Sequence, residues 1–256
     1  MIAYVTGSGF YGLPGFEALE RHTRFGTAQL LRGVVNGKET LVLPRHGAGH
    51  RFLPHQINHR ANLLALHEAG ATAVVSCSVC GLLNPDWELA TPLLGTDLYF
   101  PENRLGDGQC CTLFDQPGEA GRGHLLAGSL FNTPLSQAVR AAMNDGNPRM
   151  LSGTYAHVLG PRFNTITEIK ALRATGVDFL SQTCGPEAVL ANELELPYAL
   201  AAFGIDYANG VRETPTPIEV LNNNLAAAKE TFVQLIHTLR EPDEGFAFEN
   251  FVYRFE

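Results

Sequence analysis

The chain has 256 residues, of which 45% are hydrophobic and 17% charged, a composition typical of a folded globular protein. Its formal net charge of −8 argues against a nucleic-acid partner, because a phosphate backbone requires a basic face. No apolar run reaches membrane-spanning length, and the five cysteines show no zinc-ribbon spacing. We therefore expect a cytoplasmic protein with free thiols, no bound metal and no membrane partner.

The first informative elements are two apolar runs that each end in a glycine-containing, donor-rich loop. Residues 1–5 predict a buried strand followed by a Gly-Ser-Gly turn, and residues 39–43 predict another followed by Arg45 and His46. Such loops at the carboxyl edge of a sheet are suited to bind a small anion. The guanidinium of Arg45 matches an oxyanion, and the Ser8 hydroxyl can complete the shell. Together they predict a phosphate site, although each loop alone is equally typical of an ordinary turn.

The rest of the chain alternates between helical and strand-like segments. Apolar periodicity predicts helices at residues 53–70, 134–143, 166–174, 186–194 and 217–239, and strands at 71–76, 92–100, 153–158, 178–183 and 198–206. Thr165 and Glu168 have the spacing of a capping box. Residues 101–128 show no periodicity, and so long a loop is typical of a segment with a function or a contact to a neighbour. The alternation predicts an α/β fold with a central mixed sheet flanked by helices, in a single domain over residues 1–256.

The order of these segments resembles the nucleoside phosphorylase family, and more closely its trimeric branch of purine nucleoside, methylthioadenosine and methylthioinosine phosphorylases. The resemblance covers residues 2–239 and rests mainly on Leu-Pro-Arg-His-Gly at 43–47, Asn-His-Arg-Ala-Asn at 58–62 and Gly-Pro-Arg-Phe at 160–163. It implies phosphorolysis of an N-ribosyl purine to the free base and a ribose 1-phosphate. Inorganic phosphate would be the co-substrate, without a further cofactor. It also implies a homotrimer in which the 101–128 loop reaches a neighbour's site.

The resemblance implies a phosphate shell built from strand-end residues: Ser8, Arg45, His46, Ser78, the backbone N–H of Val79 and Thr183. It assigns catalysis to His46 and Asp206. A core position is the alternative for His46. Thr183 has the alternative of capping the helix that follows it.

The residues implied to bind the nucleoside come from several segments: Phe163, Asn164, Gln182, Asp206, His124 of a neighbouring subunit, Pro217, Val220 and Leu221. Asp206 matches the carboxylate of adenine-using members. It would donate a proton to purine N7 as the base leaves, and burial would favour this by raising the pKa of the carboxyl. Gln182 stands where the family commonly has Met, and Ala208 where adenine-using members have a second Asp. The preference between a 6-amino and a 6-oxo purine therefore stays open.

Three apolar residues occupy the positions implied to meet the 5′ end of the sugar: Pro217, Val220 and Leu221. Apolar surface favours a methylthio group over a hydroxyl, so the expected substrate is 5′-methylthioadenosine or 5′-methylthioinosine. The alternatives are a general purine nucleoside phosphorylase for inosine, guanosine or adenosine, a nucleoside hydrolase of the same fold, and a catalytically weak nucleoside-binding homologue.

Overall fold

The computed structural model describes residues 1–8, 13–144 and 150–255. Gly9, which closes the Gly-Ser-Gly turn, lies outside these residues. The described residues form eleven strands and five α-helices: β1 (Ile2–Thr6), β2 (Glu17–Thr23), β3 (Gly26–Val35), β4 (Lys38–Pro44), α1 (His59–Glu68), β5 (Ala73–Leu82), β6 (Thr91–Tyr99), β7 (Gly123–Leu126), α2 (Thr133–Asn144), β8 (Leu151–His157), α3 (Ile166–Ala174), β9 (Phe179–Ser181), α4 (Cys184–Glu193), β10 (Tyr198–Tyr207), α5 (Ile218–Thr238) and β11 (Phe251–Arg254).

Nine strands form one mixed sheet in the order β10-β6-β8-β9-β5-β1-β4-β3-β2, and β10 also pairs with β5. β1 runs parallel to both β4 and β5, and β5 runs parallel to β10. The carboxyl ends of these four strands therefore lie at one edge of the sheet. Helices α1 and α4 pack on one face, and α2 and α5 on the other. This confirms the predicted α/β fold with a mixed central sheet.

Helix boundaries follow local sequence signals. Thr165 caps α3, and its Oγ1 accepts a hydrogen bond from the Glu168 backbone N–H while the Glu168 carboxylate accepts one from Thr165 N–H, which confirms the predicted capping box. The helix predicted from residue 53 begins only at His59. Pro54 opens a short 3₁₀ turn there, and Asn58 Oδ1 accepts from Ala61 N–H at 3.0 Å to cap α1.

Two pairs of strands were not predicted. β2 and β3 form an antiparallel hairpin at the edge of the sheet, where β2 is largely exposed and carries charged side chains. β7 lies inside the 101–128 segment that was predicted to be a loop, and it pairs with β11 in a separate two-stranded sheet. None of the helices in the described ranges combines the length and apolar character that crossing a bilayer would require.

Candidate active site

A cleft of about 400 Å³ opens at the edge of the sheet where β1, β4, β5 and β10 end. It brings together most of the predicted site residues: Ser8, Arg45, His46, Ser78, Val79, Phe163, Asn164, Gln182, Thr183, Asp206 and Leu221. These residues come from seven separate segments of the chain. Among the described residues, no cluster of three or more His, Cys, Asp or Glu side chains is arranged to hold a metal.

Arg45 lies beneath the floor of the cleft, with only 2% of its surface exposed. Its Nε donates to Glu187 Oε1 at 2.7 Å and its Nη2 to Glu187 Oε2 at 3.0 Å. Nη2 also donates to the Val5 carbonyl at 3.1 Å, and Nη1 to the Cys77 carbonyl at 2.8 Å. The fork that was expected to receive an oxyanion therefore holds a buried carboxylate instead.

This arrangement leaves Arg45 a narrow contact with the cleft. A guanidinium has five N–H groups, and four of those of Arg45 donate to Glu187 and the two carbonyls, so one on Nη1 remains. Nη1 lies against Gly7, where a Cβ would be only 2.8 Å away, so a side chain at position 7 would obstruct it. Arg45 can thus offer an anion one N–H group and a positive charge that Glu187 already balances.

Glu187 is a functional residue that the sequence analysis did not identify. It is fully buried on α4, and it also accepts a hydrogen bond from Ser76 Oγ at 2.6 Å. Its partner Arg45 lies 142 residues away in the chain, so no local pattern indicates the pair.

His46 lies at the same end of the cleft, with its ring stacked on that of His50 at 4.1 Å. His46 Nδ1 is 2.8 Å from the Phe52 carbonyl oxygen. Burial and then the charge of Arg45 lower the pKa of His46 to about 4, although the hydrogen bond to Phe52 acts in the opposite direction. His46 is therefore neutral at physiological pH.

The amino end of α4 faces the anion end of the cleft. Thr183, the residue that precedes α4, makes no side-chain hydrogen bond to cap the helix, so capping does not explain its position. Ser78 lies nearby on β5, and its hydroxyl is 3.2 Å from Ser181 Oγ. A helix amino terminus carries partial positive charge and is suited to an anion. Neutral donors and this helix terminus therefore make up most of the predicted phosphate shell.

Asp206 lies at the opposite end of the cleft, at the end of β10. The register of β10 against β5 shifts between Gly204 and Asp206, so Ile205 is an extra residue in the strand. As a result, the consecutive residues Ile205 and Asp206 both line the cleft. Burial raises the pKa of the Asp206 carboxyl to about 6, so about a tenth of it is protonated at pH 7 and more at lower pH. This carboxyl can deliver a proton to a leaving group.

A loop at residues 160–164 forms one wall beside Asp206. Gln182 Nε2 donates to the Arg162 carbonyl at 3.0 Å, and Asn209 Nδ2 donates to the Asn164 carbonyl at 2.7 Å. The Gln182 side chain thus holds this loop. Asn164 Oδ1 is buried without a hydrogen-bond partner in the described part of the chain. Phe163 is 71% exposed at the cleft, so it is not part of the core.

Three predicted nucleoside contacts lie outside the lining of the cleft. His124 is exposed on β7, where its ring packs against Phe255 at 5.3 Å. Pro217 and Val220 are exposed at the start of α5, because only the stripe through Leu221 and Leu225 turns toward the cleft. Within one chain, the apolar side chains of α5 that line the cleft, Leu221 and Leu225, therefore lie further along the helix than Pro217 and Val220.

Comparison with known proteins agrees with this geometry. Residues 2–240 match the family model described as the phosphorylase superfamily. The chain is 36% identical over 218 residues to a 6-oxopurine nucleoside phosphorylase of Pyrococcus furiosus, covering 82% of this chain and 80% of that protein. It is 33% identical over 259 residues to an S-methyl-5′-thioadenosine phosphorylase of Saccharolobus solfataricus, covering 95% and 92%. A solved adenosine/methylthioadenosine phosphorylase mutant of Schistosoma mansoni with tubercidin has the same fold, with a TM-score of 0.82 at 23% identity over 93% of this chain and 90% of that one.

Proposed function

The chain belongs to the phosphorylase superfamily, and we propose that it is a pentosyltransferase that cleaves a purine nucleoside with inorganic phosphate. The products are the free purine and a pentose 1-phosphate. One observation carries this proposal: a shell of anion donors and a half-buried, protonatable Asp206 line the same cleft at the carboxyl edge of the sheet. Glycosidic cleavage requires both groups on opposite sides of a sugar.

The proposed reaction follows from the charges that develop as the glycosidic bond breaks. Positive charge builds on the sugar, and a phosphate held near Arg45, Ser8 and the start of α4 stabilises it and attacks the anomeric carbon. Negative charge builds on the leaving purine, and protonated Asp206 donates to its N7. His46 completes the phosphate shell.

The substrate that we propose carries a 5′-methylthio group, as in 5′-methylthioadenosine or 5′-methylthioinosine. The lining of the cleft includes apolar side chains: Leu53, Leu221 and Leu225. A hydroxyl placed there would lose its hydrogen bonds to water, whereas a methylthio group would not. The second candidate, a general purine nucleoside phosphorylase, is favoured by the similarity to a 6-oxopurine enzyme.

We further propose a homotrimer in which His124 of one subunit covers the sugar in the cleft of the next. Its support is that His124 is exposed on β7 and lies outside the cleft of its own chain. A single domain over residues 1–256, a cytoplasmic location and the lack of a cofactor other than phosphate stay predictions.

Release of free base from adenosine, inosine, guanosine and their 5′-methylthio forms, with and without phosphate, tests the proposal. We expect cleavage only with phosphate and a preference for the methylthio forms. Turnover without phosphate would identify a hydrolase, and nucleoside binding without turnover would identify a weak homologue. Equal turnover of inosine and methylthioinosine would contradict the 5′ assignment alone.

A further inference from the structure

The loop over residues 160–164, which joins β8 to α3, is held from outside by two side chains. Gln182 Nε2 donates to the Arg162 carbonyl at 3.0 Å, and Asn209 Nδ2 donates to the Asn164 carbonyl at 2.7 Å. Within the described ranges, no main-chain hydrogen bond joins this loop to another element. The position of its main chain therefore depends mainly on these two amides.

The end of the Gln182 side chain is directed at the loop. Its Oε1 lies over Gly160, where an added Cβ would overlap it, and its Nε2 binds the Arg162 carbonyl. Gly160 and Arg162 do not line the cleft, whereas Pro161 and Phe163 do. The amide therefore contacts those residues of the loop that a ligand in the cleft would not meet.

Phe163 depends on this support. Its ring is 71% exposed, so its own packing does little to fix its position. The ion pair between Arg162 and Glu168 is also exposed, and such pairs contribute little. A ring that is ordered only when a ligand binds weakens that binding, because the cost of ordering is then part of it. The hydrogen bond from Gln182 lowers this cost by ordering the loop in the free protein.

We propose that Gln182 is a positioning residue, which acts on the nucleoside by holding Phe163 through the Arg162 carbonyl and not by contacting the sugar. This inference rests on the proposed function, since it concerns how that cleft receives its nucleoside. It replaces the direct nucleoside contact that the resemblance implied for Gln182. A wall that is held in place serves the substrate and the transition state alike, so its loss should weaken binding more than it slows the chemical step.

Steady-state kinetics of base release tests the proposal with Gln182→Met, which keeps the length of the side chain and removes the donor. We expect the KM for the nucleoside to rise about three- to tenfold, as for the loss of one hydrogen bond, with kcat changed by less than about twofold. Gln29→Met makes the same change at an exposed position of β3 and should leave both constants unchanged. A fall in kcat with an unchanged KM would contradict the proposal.

A second comparison separates positioning from direct contact. If Gln182 acts through Phe163, then Gln182→Met should add less than about twofold to the KM of Phe163→Ala, because the ring that it positions is absent. If Gln182 contacts the sugar, the two effects should multiply, which would overturn the proposal. Gly160→Ala is an independent perturbation. Its Cβ displaces the Gln182 amide, so it should raise the KM as Gln182→Met does, even if that variant does not fold.

Limited proteolysis of the free protein gives a readout that needs no turnover. Trypsin cleaves after arginine, and the side chain of Arg162 in the middle of the loop is 66% exposed. Loss of the Gln182 hydrogen bond should raise the rate of cleavage after Arg162 about three- to tenfold, because the opened loop becomes more populated. Cleavage after the exposed Arg104 should stay unchanged as an internal reference. Equal rates after Arg162 in the wild type and Gln182→Met would overturn the proposal.

The outcomes separate this inference from the proposed function. Phosphate-dependent base release with an unchanged KM in Gln182→Met would overturn the positioning role alone. Faster cleavage after Arg162 in Gln182→Met, without base release from the wild type, would support the role of Gln182 in holding the loop and contradict the proposed activity.

Discussion

The two ends of the cleft are built in opposite ways. At the anion end, Arg45 and Glu187 are buried and paired, with their hydrogen bonds satisfied by Ser76 and main-chain carbonyls. At the base end, Asp206 is half-buried with a raised pKa, and Asn164 Oδ1 has no partner within the described residues. The ion pair at the first end is complete within the protein apart from one N–H of Arg45, whereas the second end contains groups that need a ligand.

This difference indicates which residues of the cleft mainly affect stability and which mainly affect the reaction. A buried ion pair is costly to break but adds little beyond its desolvation cost, so its main effect is to fix geometry. An unpaired buried carboxyl or amide oxygen costs stability in the free enzyme, and a ligand recovers that cost by supplying the missing hydrogen bond. Substitutions at the two ends should therefore affect different measurements.

The largest effect is expected for Asp206→Ala. Loss of the proton donor should lower kcat by about 10²- to 10⁴-fold, with little loss of stability. Because only the protonated carboxyl can donate, wild-type kcat/KM should fall as the pH rises above about 6. Steady-state kinetics over pH checks both statements, with the exposed Asp97→Ala on β6 as control. Unchanged turnover in Asp206→Ala would remove Asp206 as the acid.

Glu187→Ala tests the anion end. It leaves the Arg45 charge buried without its partner, so the free energy of unfolding should fall by about 3–5 kcal/mol. Removal of Glu39 from its exposed pair with Arg32 should cost less than about 1 kcal/mol. Urea denaturation measures both. The double variant Arg45→Met/Glu187→Leu should recover most of the stability but not phosphate binding, and a double variant as unstable as Glu187→Ala would contradict this explanation.

The pH dependence of stability tests the burial of Asp206. Its pKa is about 6 in the folded protein against 3.8 when exposed, so the folded state binds more protons between these values. This contribution to stability is complete below about pH 4 and is lost as the pH rises through about 6, by up to about 3 kcal/mol. Asp206→Asn should remove it. Unfolding curves of both proteins that run parallel from pH 4 to 7 would exclude the buried carboxyl.

The smallest effect is expected at the apolar part of the cleft that is proposed to meet the 5′ end of the sugar. Leu221→Ser should lower the preference for methylthioinosine over inosine by about 10- to 100-fold in kcat/KM, because a hydroxyl partner replaces apolar surface. Val220→Ser is the matched control, since Val220 is the adjacent residue and lies outside the lining of the cleft. Equal shifts in both variants would show that the effect does not come from the wall.

Features that depend on neighbouring residues could be predicted from the sequence. Strand β1 and the Arg45-His46 loop follow from apolar runs that end in small or polar residues, and the start of α3 follows from Thr165 and Glu168. β2 escaped prediction because an exposed edge strand carries no apolar alternation. β7 escaped because its partner β11 lies more than a hundred residues away.

The candidate site was predicted as a set of residues but not as a set of contacts. Which groups the Arg45 guanidinium binds depends on Glu187. Which nitrogen of the neutral His46 ring carries the hydrogen depends on the Phe52 carbonyl. The position of Asp206 depends on a shift in strand pairing that no residue type indicates. Such contacts arise only when distant segments pack together, so residue types alone could not reveal them.

The bulge at Ile205 means that the direction of the Asp206 side chain depends on the strand register as well as on the residue type. A regular strand of the same sequence would pair Ile205 with Gly81 and turn Asp206 toward the opposite side of β10, although every residue named in the site would still be present. Gly204 cannot be replaced by a larger residue without a rearrangement, because a Cβ at this position would lie 2.8 Å from Leu82. A change that removed only the bulge would therefore misdirect the Asp206 carboxyl, and an inventory of active-site residues would not detect it.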